Sequence, residues 1–213
     1  MKNAIIMIAM LAFSTAVVKA QSTDSIDHRN KFAFGIKAGV NLSNVYDEEG
    51  EDFVADDRYG WVAGAFGTIP FGKLFGLQPE ILYSQKGFKS SGTFLGATYE
   101  LSRKTEFIDL PFFVAIKPIE YVTILVGPQF SFLLKQTDEF KSNNLTSTQI
   151  EEFDNSNLLK NIIGLSAGAD INLDHFVIGV RFGGDLKKND GDGNSSTPRY
   201  KNMWYQATVG YKF

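Results

Sequence analysis

Three regularities in the sequence predict an all-β fold: an eight-stranded antiparallel transmembrane β-barrel with short turns at one end and long loops at the other. Apolar and polar residues alternate with period two over stretch after stretch, the mark of strands with two different faces. The more apolar face of every stretch whose register can be assigned carries no Asp, Glu, Lys or Arg, although these are 21% of the chain. Connections alternate between short and long, as in barrels with periplasmic turns and external loops.

The chain begins with Lys2, an apolar stretch from Ala4 to Val18 and the small-residue site Val18-Lys19-Ala20. This predicts a secretory signal over residues 1–20, cleaved after Ala20. The apolar run is shorter than the ~20 residues that a spanning helix needs, and the polar "QSTDSIDHRNK" follows at once. Residues 21–30 then read as a short periplasmic segment and 31–213 as one barrel domain, without a linker or composition shift. The chain has no Cys, which excludes disulfides, thiolate metal sites and a lipid-modified Cys anchor. A net charge of −3 provides no basic field for nucleic acid.

The first strand is "KFAFGIKAGVNL", with Phe32, Phe34, Ile36, Ala38, Val40 and Leu42 on one face and Lys37 in the middle of the other. "YGWVAGAFGTIPF" (Tyr59 to Phe71) follows, apolar on both faces and therefore open in register. "LQPEILYS" sets Leu77, Pro79, Ile81 and Tyr83 against Gln78, Glu80, Leu82 and Ser84. In "FIDLPFFVAIK" the row Ile108, Leu110, Phe112, Val114 and Ile116 opposes Asp109, Phe113 and Lys117. "VTILVGPQFSFLL", "IIGLSAGADINL" and "FVIGVRFGGD" repeat the pattern, with Asp170, Arg181 and Asp185 on the polar faces. The eighth stretch is "MWYQATVGYKF", in which Met203, Tyr205, Ala207, Val209, Tyr211 and Phe213 form the apolar row and Lys212 lies opposite. An even strand number lets the sheet close with both termini on one side.

Short connections are "FGKLFG", "KPIEY" and "NLDH"; the long polar ones are Ser43 to Arg58, Gln85 to Glu106, Lys135 to Lys160 and Leu186 to Asn202. A charge on a lipid-facing row would cost about 2–4 kcal/mol at the midplane, so the charge-free rows are expected to face hydrocarbon. The charged faces then point inward, the reverse of a soluble lipocalin-like barrel, which is the alternative of a secreted binder. Lys37, Glu80, Asp109, Asp170, Arg181, Asp185 and Lys212 are expected to form an interior charge network, with Lys37, Arg181 and Lys212 pairing the acids, because buried charges require partners. Glycines on this face, among them Gly179 and Gly183, leave room for long neighbours. Aromatics at strand ends, including Tyr59, Trp61, Tyr83, Tyr121, Tyr205 and Phe213, fit interfacial girdles.

Through "FGIKAGVNLS", "LQPEILYSQKG", "IDLPFFVAIKP", "VGPQFSFLL" and the closing "YKF", the chain resembles the PorT-like outer-membrane β-barrel proteins of Bacteroidota, the outer membrane protein beta-barrel domain. The resemblance implies an eight-stranded barrel in the outer membrane, in contact with outer-membrane lipid and lipopolysaccharide. It implies place and shape but no chemistry, and the secretion role of the member that names the family is not carried over. The row Met203, Tyr205, Ala207, Val209, Tyr211 and Phe213 resembles the C-terminal signal read by barrel-assembly machinery during insertion.

No catalytic, cofactor or metal site is expected. The two His are His28, ahead of the first strand, and His175, in a short turn, both away from an external rim where a barrel enzyme acting on lipid A or peptide would work. Glu80 and Asp109 inside the barrel are the one carboxylate pair open to acid–base work, against the plainer reading of interior ion pairing. "NDGDGN" (Asn189 to Asn194) starts like a calcium loop but has Ser195 and Lys201 where that loop requires Gly and Glu. The acidic run Tyr46 to Asp57 reads as a solvated loop, with weak divalent-ion contact to lipopolysaccharide as the sharper alternative. Asn144-Leu145-Thr146 and Asn194-Ser195-Ser196 match glycosylation acceptors by chance. The expected function is non-enzymatic: an outer-membrane barrel with a structural or surface-interaction role and an interior filled by side chains. A narrow porin or small-solute channel is the nearest alternative. The external loops contain no motif that names a surface partner.

Overall fold

The computed structural model describes residues 28–46, 55–94, 97–142, 145–152, 161–186 and 201–213. After a 3₁₀ turn at His28–Asn30, the strands are β1 (Ala33–Tyr46), β2 (Ala55–Pro70), β3 (Phe75–Phe94), β4 (Ala97–Ile119), β5 (Val122–Ser142), β6 (Leu145–Glu152), β7 (Asn161–Leu173), β8 (Phe176–Asp185) and β9 (Lys201–Lys212). All pair antiparallel. Eight of them close a ring in the order β1-β2-β3-β4-β5-β7-β8-β9, the last joining the first, and β6 is added on β5 outside the ring. The result is an eight-stranded antiparallel barrel. Closure removes sheet edges where lipid would leave backbone groups without partners.

The expected loops Gln85 to Glu106 and Lys135 to Lys160 are largely strand. β3, β4 and β5 run 20, 23 and 21 residues, twice the 10 of β8. At about 3.3 Å per residue and a tilt near 40°, ten residues rise about 25 Å, the height of an apolar band, so the β3–β4–β5–β6 sheet stands a comparable height above it. The sequence signal vanishes there because alternation needs one wet and one greasy side. Along β4 the outward row passes from Phe112, Leu110 and Ile108 to Glu106, Lys104, Ser102 and Glu100, in register on β5 with Lys135, Thr137, Glu139 and Lys141. Beyond Glu106 the outward row is polar throughout and meets water, while the inner face mixes Arg103, Gln136 and Asp138 with Tyr99, Leu101 and Phe140.

Register on β2, open in the sequence, is decided by its neighbours. Lys37 pairs with Gly64 and Ala38 with Ala63, which turns Val62 and Phe66 inward and buries them, while Tyr59, Trp61, Ile69 and Phe71 remain exposed. A slip of one residue would reverse every side chain. Outward rows elsewhere are exposed and apolar, as in β8 with Phe176, Ile178, Val180 and Phe182. Aromatic pairs mark the two ends of this band. Trp61 stacks on Tyr83 at 4.6 Å on the long-hairpin side. On the short-turn side Phe34 stacks on Phe213 at 5.0 Å and His175 on Tyr211 at 5.4 Å. Aromatic rings with polar tips suit the headgroup level.

Candidate functional site

The inward rows fill the barrel with two charged layers. Nearer the short turns, Lys37 from β1 pairs with Glu80 from β3, and Arg181 from β8 meets Asp170 from β7 at 2.7 Å and Glu80 at 3.5 Å. Gln78 donates to both acids, at 3.0 Å to Glu80 and 3.1 Å to Asp170, and so ties opposite walls together. Lys37 and Arg181 also lie over the rings of Phe66 and Phe113, at 5.7 and 5.3 Å from the centroids. The space is made by glycine: a Cβ on Gly179 would stand 2.6 Å from Asp170 Oδ1 and 2.8 Å from Thr208 Oγ1.

Nearer the long hairpins, the second layer is built around Lys86, which is 1% exposed. Its ammonium donates to Asp109 at 3.1 Å and to Ser131 at 3.5 Å, and lies 4.0 Å from the Trp204 ring and 4.9 Å from that of Phe107. Ser84 donates to the other oxygen of Asp109 at 2.5 Å. Asp185 accepts from the backbone N–H and side-chain amide of Asn202, at 2.9 and 2.6 Å. Gly183 gives the indole its place, since a Cβ there would sit 2.4 Å from the Trp204 ring. Asn41, wholly buried, accepts from Gln206 at 3.0 Å and donates to the Gln85 carbonyl at 3.1 Å.

The interior residues singled out in the sequence thus divide. Lys37, Glu80, Asp170 and Arg181 meet; Asp109 and Asp185 lie in the other layer, so Glu80 and Asp109 are not a carboxylate pair. The expected pairing of Lys212 with the interior acids is corrected. It sits half-buried at the short-turn mouth without an ion-pair partner among the described residues, because its position on β9 falls below the level of Asp170 and Glu80. Lys86 is not among the residues that the sequence points to, because it falls in the expected loop Gln85 to Glu106. Its signal was present as the continuation of the β3 alternation from Glu80 through Leu82 and Ser84.

Ser84, Lys86 and Asp109 combine a hydroxyl, an ammonium and a carboxylate. Nucleophilic chemistry needs the hydroxyl to face a base and a substrate. Here Ser84 donates to a carboxylate that already holds Lys86, and all three are at most 1% exposed. His175 lies in the β7–β8 turn with Nδ1 2.9 Å from the Lys212 carbonyl oxygen. Among the described residues no group of acids and histidines is arranged to hold a metal ion.

Above the charge-free band, the inner face of the raised sheet carries Arg103 and Asp138 in a two-point ion pair at 2.7 and 2.8 Å, joined by Gln136, and Tyr99 stacked on Phe140 at 5.9 Å. Its outer face carries Lys104–Glu106 at 2.7 Å and Lys141–Glu139 at 2.9 Å. The hydrogen bond that Lys141 donates to Glu139 raises its ammonium above the ordinary pKa. Ala20, the Asn189–Asn194 run, Asn144 and most of the acidic Tyr46 to Asp57 run lie outside the described residues.

The family model for the "Outer membrane protein beta-barrel domain" matches residues 19–186. No curated protein sequence matches the chain. Solved structures similar to it include Ail, the attachment invasion locus protein of Yersinia pestis, in complex with the heparin analogue sucrose octasulfate, at 14% identity over 86% of this chain and 99% of that one, TM-score 0.48. Neisserial surface protein A is 13% identical over 84% and 97%, TM-score 0.47. The outer membrane protease OmpT from Escherichia coli is 9% identical over 85% and 95%, TM-score 0.42.

Proposed function

The chain belongs to the outer membrane protein beta-barrel domain family, and from that premise we propose that it is a non-conducting, non-enzymatic barrel whose raised sheet serves interaction outside the cell. One observation carries this: the lumen is closed by the Lys37–Glu80–Arg181–Asp170 layer and the Lys86–Asp109–Trp204 layer in series. Among the described residues, the interstice beside the first layer, lined by Lys37, Phe66, Gln78, Asp170, Val177, Thr208 and Gly210, is too tight to hold a water molecule. Ions crossing such a lumen would have to break buried pairs, each costly to separate.

In this reading the short turns and N-terminal turn face the periplasm and the long hairpins face outward, after export through a signal cleaved at Ala20. Lys104 and Lys135 line the level just above the apolar band, where lipopolysaccharide phosphates would meet them. The row Met203 to Phe213 serves insertion by the barrel-assembly machinery, and the finer kinship is with PorT-like barrels. The buried state of Ser84, Lys86 and Asp109 supports the absence of turnover. Planar-bilayer recording of the purified protein tests the proposal: closed traces at physiological salt are expected, and steady single-channel currents would make the protein a pore.

A further inference from the structure

We infer that β6 is a docking edge, which takes an extended segment of a different polypeptide as one more antiparallel strand of the raised sheet. β6 pairs with β5 over all 8 of its residues, in one register from Ser142 with Leu145 to Lys135 with Glu152. It is the last strand of the sheet, and among the described residues no strand lies along its other side. Successive residues of an antiparallel strand turn their N–H and C=O groups to alternate sides, so half of the β6 backbone groups point away from β5. Open edges are ordinarily blunted by Lys, Pro or a bulge. The stretch "LTSTQI" contains neither Lys nor Pro, and its ladder to β5 has no shift. At ~3.3 Å per residue the edge runs about 26 Å, room for a segment of its own length.

The chemistry of the edge narrows the partner. Thr146, Thr148 and Ile150 follow the outward row of β5 and are exposed, Ile150 to 57%, and β-branched residues pair best with β-branched residues opposite. The strand closes at its membrane-near end on Glu151 and Glu152. An added antiparallel strand runs away from the membrane, so its first residues come beside these acids. The fitting segment therefore starts with Lys or Arg and continues with uncharged, β-branched residues. A second copy in the same membrane does not fit. There β6 runs in the same sense in every copy, which forbids an antiparallel ladder. Strands tilted by about 40° on two copies related by an axis along the membrane normal cross at about 80°, which forbids a parallel one. The partner's place outside the cell rests on the orientation proposed above; the edge itself does not.

The test uses the full chain in phosphatidylcholine nanodiscs and labelled peptides of alternating Val and Ser, as long as β6, that begin Lys-Lys, Ser-Ser or Glu-Glu. Fluorescence anisotropy should show saturable binding, roughly tenfold tighter for the basic peptide than for the acidic one. Amide hydrogen exchange of the chain should slow roughly tenfold on binding, in residues 145–152 alone. N-methylation of alternate peptide residues removes the donors from one side at a time: the set facing β6 should abolish binding, and the other set should leave it unchanged. Ile150→Lys should weaken the basic peptide roughly tenfold, with heat-modifiable migration checking that the barrel is folded. Absence of saturable binding by every peptide, loss with both methylated sets or with neither, or protection outside β6 overturns the proposal, and none of these readings needs a variant. Discs that associate in pairs without peptide, and cease to with Ile150→Lys, would make the occupant a second copy in a facing membrane and overturn it as well. The basic peptide should also bind intact cells that carry the protein; binding to opened cells alone supports the edge and overturns the outward orientation.

Discussion

Replacing Lys86 by Met keeps the stem that packs between Trp204 and Phe107 and deletes the charge. Asp109, 1% exposed, is then left with Ser84 as its partner, and the neighbouring Asp185 loses the nearest cation in its layer. Breaking a buried pair by removing one member costs about 3–5 kcal/mol, and part of that is the lost cation–π contact with Trp204 at 4.0 Å, worth up to about 2 kcal/mol in a desolvated setting. The folding equilibrium should shift roughly 10²- to 4 × 10³-fold, at about 1.4 kcal/mol per decade. Lys86→Met/Asp109→Asn removes both charges and leaves the amide to accept from Ser84, so it should recover to within about 1 kcal/mol of the parent, as neutral replacements of buried pairs often do. The assay is urea-titrated folding in lipid vesicles, read by tryptophan emission and heat-modifiable migration. Of the two Trp, Trp61 faces outward and Trp204 touches Lys86, so the emission reports on the layer directly. A single variant within about 0.5 kcal/mol of the parent, or a double variant no better than the single, would refute the reasoning.

Position along the outward rows gives a second expectation. Val180, exposed midway along β8, should lose about 2–4 kcal/mol as Val180→Arg, whereas Ser102→Arg on the outward row of β4 above Glu106 should stay within about 0.5 kcal/mol; equal effects in the same vesicle assay would remove the boundary drawn at Glu106. Phe213 stacks on Phe34, meets Tyr211 edge-on at 5.3 Å and donates its backbone N–H to the Phe34 carbonyl at 2.8 Å, closing the β9–β1 seam. Phe213→Ser is therefore expected to lower the amount of heat-modifiable barrel recovered from membranes, and unchanged recovery would detach this residue from assembly.

Much of the site was readable residue by residue and little of it pair by pair. That Lys37, Glu80, Asp170 and Arg181 face inward follows from alternation, since neighbours two apart share a face. That Glu80 takes Lys37 and Arg181 while Asp109 takes Lys86 does not, because Glu80 and Asp109 look equivalent in their strands. Lys86 escaped because Gln85, Lys86 and Lys89 give no apolar beat to count. Tyr59 to Phe71 could not be turned one way or the other until β1 and β3 were laid beside it.

The sequence by itself determined that seven stretches each carry a face without charge, where each such face stops, and which side chains are turned from it. Those are local properties, set by period-two geometry and by the cost of a charge in hydrocarbon. The tertiary structure alone decided which interior charges meet. Gln78 reaches Asp170 across 92 positions of chain and Gln206 reaches Asn41 across 165, distances bridged by closure and by the stagger of the strands. It also decided that Lys212 falls below the level of the interior acids, without an ion-pair partner among the described residues, and that polar hairpins continue as a raised sheet. Stagger is a property of the whole ring, and no single strand encodes it.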